Sequence, residues 1–248
     1  MSEVRIDEVE YSIIRMMRER PFVIATHRSQ EVVNILLRVR SSDGEGIGVI
    51  APNIVTGDTL QSSIHFLQDL MDVLPAEKLN ISQLHEIMAS ISDEDNAAKC
   101  GVDMAFHDLL ARMQGKPLCD LMGRIWDRIE TSITIGIMDL QESLAEVHQR
   151  SMAGFGILKL KIGLDLDRDF SLIREVRRRY PNMVVRIDCN QGFEVKEAIS
   201  FLDEIYPFRV QFVEQPVDAG DLENLCEVGR SSKIPVMADE SVRSVEDI

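Results

Sequence analysis

The sequence predicts an α/β protein in two parts. An N-terminal α+β domain over residues 1–125 precedes an incomplete (β/α) barrel of the TIM type over 126–248, with about five of its eight units. Three observations carry this. Strand and helix patterns alternate through the second half at a repeat of about 25 residues, the mark of parallel strands joined by helical crossovers. Four successive strands there end in polar residues, as they do at the mouth of a barrel. No glycine-rich loop follows the first of these strands, so the doubly wound alternative lacks its phosphate-binding turn.

The elements follow in order. Residues 4–14 form a mixed apolar strand pattern, and 31–40 are β-rich and end at Ser42-Asp43-Gly44, a hairpin signal. Residues 45–51 return as a short strand, so a three-stranded antiparallel meander is expected. Leu60, Ile64, Leu67, Leu70, Met71 and Leu74 then recur at helical spacing, with Asp58 or Thr59 as the N-cap. Helices are expected over 81–91 and over the alanine-rich 94–113, which Gly115-Lys116-Pro117 ends. Strands at 131–137, 157–162, 183–187, 210–213 and 235–238 alternate with helices at 141–152, 167–179, 195–205 and 221–229.

The chain of 248 residues is 45% hydrophobic, enough for a substantial core, and its net charge is −15. That charge repels phosphate backbones and argues against a nucleic-acid partner. No apolar run is long enough to span a bilayer, and the start shows no signal-peptide pattern. A cytoplasmic enzyme is therefore expected. Cys100, Cys119, Cys189 and Cys226 make no C-x-x-C pair and read as free thiols of a reducing compartment.

The chemistry gathers at the strand ends. Lys159 and Lys161 share one face of an apolar strand, because side chains alternate. Two crowded ammonium groups lower each other's proton affinity, which suits acid/base work. A pair of surface lysines on an edge strand is the competing reading. Asp188 and Asn190 share a face after the next strand, Glu214 closes the following one, and Asp239-Glu240-Ser241 closes the last. Any one of these acids could be a helix cap. Together they lie 26 and 25 residues apart (188, 214 and 239), one per repeat and at equivalent places. On adjacent barrel strands they converge, and three converging carboxylates need a cation. An all-oxygen donor set favours Mg2+ or Mn2+ over zinc.

Lys159-Leu-Lys161, Asp188-Cys-Asn190, Glu214-Gln-Pro216 and Asp239-Glu-Ser241 resemble, in order and spacing, the muconate-lactonizing-enzyme subgroup of the enolase superfamily. The N-terminal part resembles that family's capping domain, with Arg20-Pro21-Phe22 and residues 51–59 similar to its specificity loops. Residues 55–60, with 131–136, look most like those of the dipeptide (L-Ala-D/L-Glu) epimerases.

The resemblance implies Mg2+-dependent abstraction of a proton α to a carboxylate, with stabilisation of the enediolate. The substrate it implies is a small-molecule carboxylate, a dipeptide. It implies Asp188, Glu214 and Asp239 as metal ligands and Lys161 as the proton-transfer group, with Lys159 holding Lys161 at reduced pKa. Asn190, Thr134, Arg28 and Glu240 become supporting or substrate-binding residues. A cycloisomerase or an o-succinylbenzoate-synthase-like lyase uses the same residues and stays an alternative, as does an inactive remnant. The resemblance also implies a second catalytic lysine at the end of a sixth strand, past Ile248. Family members often carry an arginine in the loop after Phe22, where this sequence has His27 followed by Arg28. Capped barrels of this kind often form homo-oligomers.

Overall fold

The computed structural model describes residues 3–53 and 56–247. Ile54 and Val55, within one of the loop resemblances, lie outside the described residues. The chain forms two compact units, residues 1–18 with 31–127 and residues 19–30 with 128–248.

The first unit is built on a sheet of order β1 (Glu8–Val23), β2 (Arg28–Ser41), β3 (Gly44–Ile50). The adjoining ends of β1 and β2, residues 19–30, belong to the second unit. β2 and β3 pair antiparallel from Ser41 opposite Gly44 to Ile35 opposite Ile50. Alternation puts Ile35, Leu37 and Val39 in the core. Four helices follow: α1 (Leu60–Val73), α2 (Ile81–Ile91), α3 (Asn96–Met113) and the short α4 (Leu118–Leu121). Of the two N-cap candidates, Thr59 caps α1, in a reciprocal pair with Ser62. Asp58 instead accepts the Ala97 N–H at 3.2 Å, joining the start of α1 to the start of α3. The small residues of α3 have a packing reason. Ala98, Gly101 and Ala105 are buried on one face, and a Cβ on Gly48 of β3 would stand 1.9 Å from the Gly101 carbonyl oxygen. Helix and strand backbones touch there, so only small side chains fit between them.

The second unit holds β4 (Ile133–Ile135), β5 (Ile157–Lys161), β6 (Val184–Asp188), β7 (Val213–Glu214) and β8 (Val236–Met237). All four pairings are parallel and the spatial order is the chain order, β4-β5-β6-β7-β8. A doubly wound sheet reverses its order partway, whereas this one proceeds in one direction as a barrel does. The crossovers are α5 (Leu140–Met152), α6 (Leu166–Arg179), α7 (Val195–Ile205) and α8 (Leu222–Ser231). Asp139, Asp165 and Asp221 cap α5, α6 and α8 through their side chains. The apolar faces, such as Leu172, Ile173 and Val176 of α6, pack on the sheet in one core.

The last two strands are shorter than expected. β7 and β8 are two residues each, not four. Gln211 still donates to the Val185 carbonyl at 2.8 Å, but Pro235 has no N–H to offer a ladder. Among the described residues β8 is followed by a 3-10 turn, Val245–Asp247. No helix of the described residues is long and apolar enough to cross a membrane.

Candidate active site

Strand register places the chemistry on one level. Lys161 lies opposite Asp188, Asp188 opposite Glu214, and Glu214 opposite Met237, two residues before Asp239. Thr134, half-buried, lies opposite Lys159 one pleat earlier. The chain then turns away sharply. Asn190, Gln191 and Gln215 adopt left-handed backbone conformations, with φ of 42°, 67° and 35°. Such conformations cost energy in residues other than glycine and cluster where a site demands them.

One carboxylate oxygen each of Asp188, Glu214 and Asp239 lies within 4.8 Å of the others. Asp188 and Glu214 are buried, and Asp239 is exposed. The lysines reach into this group. Lys159 Nζ lies 2.8 Å from Asp188 Oδ2 and 2.7 Å from Glu214 Oε1. Lys161 Nζ donates to Asp188 Oδ2 and to Asn190 Oδ1, both at 2.6 Å. Asn190 is itself held. Its N–H donates to Asp188 Oδ1 at 3.0 Å, and its Nδ2 donates to the buried Glu240 Oε1 at 3.1 Å. Glu240 Oε2 is buried with no hydrogen-bond partner among the described residues.

The charges respond to this crowding. Burial raises the Asp188 carboxyl, but hydrogen bonds from Lys159 and Lys161 outweigh it and hold the group below the usual carboxylate range. Glu214 goes the other way. Burial, then the charges of Asp188 and Asp239, hold it above its usual range, and Lys159 offsets them only in part. Burial would lower the Lys159 ammonium, yet its bonds to Asp188 and Glu214 raise it. For Lys159 this runs against the expectation of a depressed ammonium, because the two carboxylates it faces outweigh burial. The adjoining Cys189 thiol is pushed well up, first by burial.

The donor set fits a divalent cation. It is all oxygen, it converges, and the charge repulsion that adds to burial in raising Glu214 is what a bound cation would relieve.

Residues 19–30 close over these strand ends. A Cβ on Gly163 or Gly192 would meet Ala25 at 3.2 or 2.8 Å, and Ile137 N–H donates to the Val23 carbonyl at 2.9 Å. Arg28, at the start of β2, is exposed and makes no hydrogen bond or ion pair to the lysines or acids of this site among the described residues.

Two supporting residues escaped the sequence reading. Asp169, which reads as a first-turn helix acid, is fully buried and accepts the Gly163 N–H at 2.8 Å and Arg168 at 2.7 Å. Arg168 also donates to the Met138 carbonyl at 2.9 Å, tying the turns after β4 and β5 together. Gln215 holds the segment around Asp239. Its position in Glu-Gln-Pro was the available signal, but only the glutamate carried a recognisable chemistry.

A one-directional parallel sheet with three acids and two lysines converging at its C-terminal ends is the sheet of an incomplete barrel whose acids could hold a cation. Models of known families agree. The mandelate racemase/muconate lactonizing enzyme N-terminal domain matches residues 8–123, and the enolase C-terminal domain-like family matches 142–248. The chain is 35% identical over 234 residues to the L-Lys-D/L-Arg epimerase of Desulforapulum autotrophicum, covering 92% of this chain and 66% of that protein. The substrate-liganded L-Ala-D/L-Glu epimerase of Bacillus subtilis superposes with a TM-score of 0.90 at 30% identity, covering 96% of this chain and 68% of that one. The dipeptide epimerase of Enterococcus faecalis, complexed with Mg and L-Leu-L-Tyr, superposes with a TM-score of 0.92 at 27% identity, over 98% and 70% of the two chains. The chain belongs to the mandelate racemase/muconate lactonizing enzyme family of the enolase superfamily. It spans 66% to 70% of the length of these relatives.

Proposed function

We propose that this chain carries the cation-holding and proton-abstracting face of a dipeptide epimerase. The observation that supports it most is the convergence of Asp188, Glu214 and Asp239 within 4.8 Å, with Lys161 Nζ 2.6 Å from Asp188. A Mg2+ ion held by the three carboxylates (Mn2+ has the same donor preference) would supply positive charge for the substrate carboxylate and the enediolate. Lys161 takes the proton α to that carboxylate. Asn190 accepts from Lys161 Nζ, and Glu240 fixes which way the Asn190 amide points, so the amine is aimed. Lys159 stays an ammonium, held so by Asp188 and Glu214, and adds positive field. Thr134, level with Lys159, lines the same face. Returning the proton to the opposite face needs a second acid, and no described residue is assigned to it.

The finer reading is L-Ala-D/L-Glu epimerisation, supported by the loop resemblance and the Bacillus subtilis structure. A cationic dipeptide is the second reading. The L-Lys-D/L-Arg epimerase is 35% identical, and a net charge of −15 attracts cations. Exchange of the α-proton followed by NMR in D2O, with Mg2+ and either L-Ala-L-Glu or L-Lys-L-Arg, separates them. No exchange with any dipeptide, in a chain that binds Mg2+, would overturn the epimerase reading.

A further inference from the structure

We infer that Gln215 is a positioning residue for Asp239, and that its side-chain amide sets the affinity of the carboxylate site for a divalent cation; this rests on the metal-site reading above.

The three acids are not held alike. Asp188 and Glu214 end strands that have a neighbour on each side, so the hydrogen-bond ladder locates them. Asp239 is different. It lies two residues past β8, a two-residue strand, and it is exposed. No ladder reaches it.

The Gln215 amide does. Oε1 accepts the Asp239 N–H at 3.0 Å and the Ser241 N–H at 3.2 Å. Nε2 donates to Ser241 Oγ at 2.7 Å and to the Val217 carbonyl at 3.0 Å. Two donors and two acceptor sites are all that a primary amide offers, and all are used. The side chain is fully buried, so these bonds are unchallenged by water. They grip the backbone on both sides of Glu240 and leave the Asp239 carboxylate free to face Asp188 and Glu214.

The backbone of Gln215 shows what this placement costs. Its φ of 35° lies in the left-handed region, which suits asparagine better than glutamine. Its own N–H and C=O are pinned, to the Met237 carbonyl at 2.9 Å and by the Gln191 N–H at 2.8 Å. Asparagine would relax the backbone but is one methylene too short to reach Asp239. A strained conformation kept for the reach of one side chain points to that side chain's contacts.

The test is Mn2+ titration of the full chain, read from the electron-spin-resonance signal of free Mn2+, with urea unfolding of the same samples. Gln215→Asn should fold and weaken Mn2+ binding about 10- to 100-fold, the usual cost of losing a group that orients a metal ligand. Gln215→Glu keeps both acceptor bonds, so it should stay within about threefold of wild type in affinity even where stability falls. Gln191→Met is the control. Gln191 is also left-handed, but its side chain accepts from Ala219 N–H and among the described residues makes no hydrogen bond to Asp188, Glu214 or Asp239, so affinity should not change. A merely structural role predicts instead that affinity follows stability across all three. Wild-type affinity in Gln215→Asn would overturn the inference, as would equal loss in Gln215→Glu and Gln215→Asn. Should the asparagine variant not unfold cooperatively, Gln215→Met carries the same expectation and the same refutation. If wild type binds no Mn2+, or Asp188→Ala binds it as wild type does, the metal-site reading itself fails.

Discussion

Gly48→Ala measures how tightly α3 is seated on β3. The added Cβ would stand 1.9 Å from the Gly101 carbonyl oxygen and 3.0 Å from the Ala105 amide nitrogen. Ordinary contact begins at 3.4 Å, so the helix backbone must retreat by about 1.5 Å, the shortfall from 3.4 to 1.9 Å. No flexible side chain can absorb this, because both obstacles are backbone. Retreat also loosens Ala98, Val102, Ala105 and Leu109, which the same helix buries. Overpacking costs about 1–3 kcal/mol where side chains can adjust, and a backbone clash belongs at the upper end, about 3 kcal/mol. The entropy gained by removing a strand glycine returns only about 0.5–1 kcal/mol. A net loss of about 2 kcal/mol or more is expected in urea unfolding followed by far-ultraviolet circular dichroism. Gly229→Ala is the matched opposite. It lies within α8 with nothing within 4 Å of the new Cβ, so it should gain about 0.8 kcal/mol from helix propensity. A Gly48→Ala protein within about 0.5 kcal/mol of wild type would refute the packing argument, since that is the scale of an ordinary surface change.

Further outcomes follow from the site and its scaffold. Lys161→Met should slow α-proton exchange by about 10²- to 10⁴-fold while Mn2+ binding persists, and equal exchange would remove Lys161 from the chemistry. Asp188→Ala should abolish measurable Mn2+ binding in the same titration, since a ligand of the set is lost. In the metal-free chain the pH dependence has a defined sign. The lowered Asp188 carboxyl contributes stability that is present above its unfolded value and lost as pH falls through its folded value. The raised Glu214 opposes this, favouring the fold as pH falls, and the raised Lys159 contributes stability lost as pH rises through its folded value. Asp188→Asn should therefore flatten the acid limb of urea midpoints, and an unchanged limb would contradict it. Arg177 donates to the carbonyls of Phe208, Pro181, Met183 and Arg209 at 2.7 to 3.1 Å, so Arg177→Met should cost about 3 kcal/mol in urea unfolding.

Much of the site is legible in linear order. Asp188, Glu214 and Asp239 recur at 26 and 25 residues because each repeat delivers one strand end, and strand ends in a parallel sheet face one way. Lys159 and Lys161 share a face because strands alternate. Their electrostatics were not legible. Proximity of two lysines says nothing of the carboxylates from the next two strands, and those carboxylates raise Lys159. Asp58 and Thr59 could not be told apart as caps, because the choice depends on Ala97, 39 residues away in the chain.

Local pattern therefore goes as far as which segments become strands and helices, and that three acids and two lysines end successive strands. Hydrophobic period, caps and repeat length act over a few residues and are written along the chain. The way those acids are held is a long-range matter. It depends on where a buried amide such as Gln215 finds partners 24 and 26 residues onward, and on a carboxylate such as Asp169 gripping the turn after β5. Burial strengthens those bonds, and burial exists only once the sheet and its helices have closed around them.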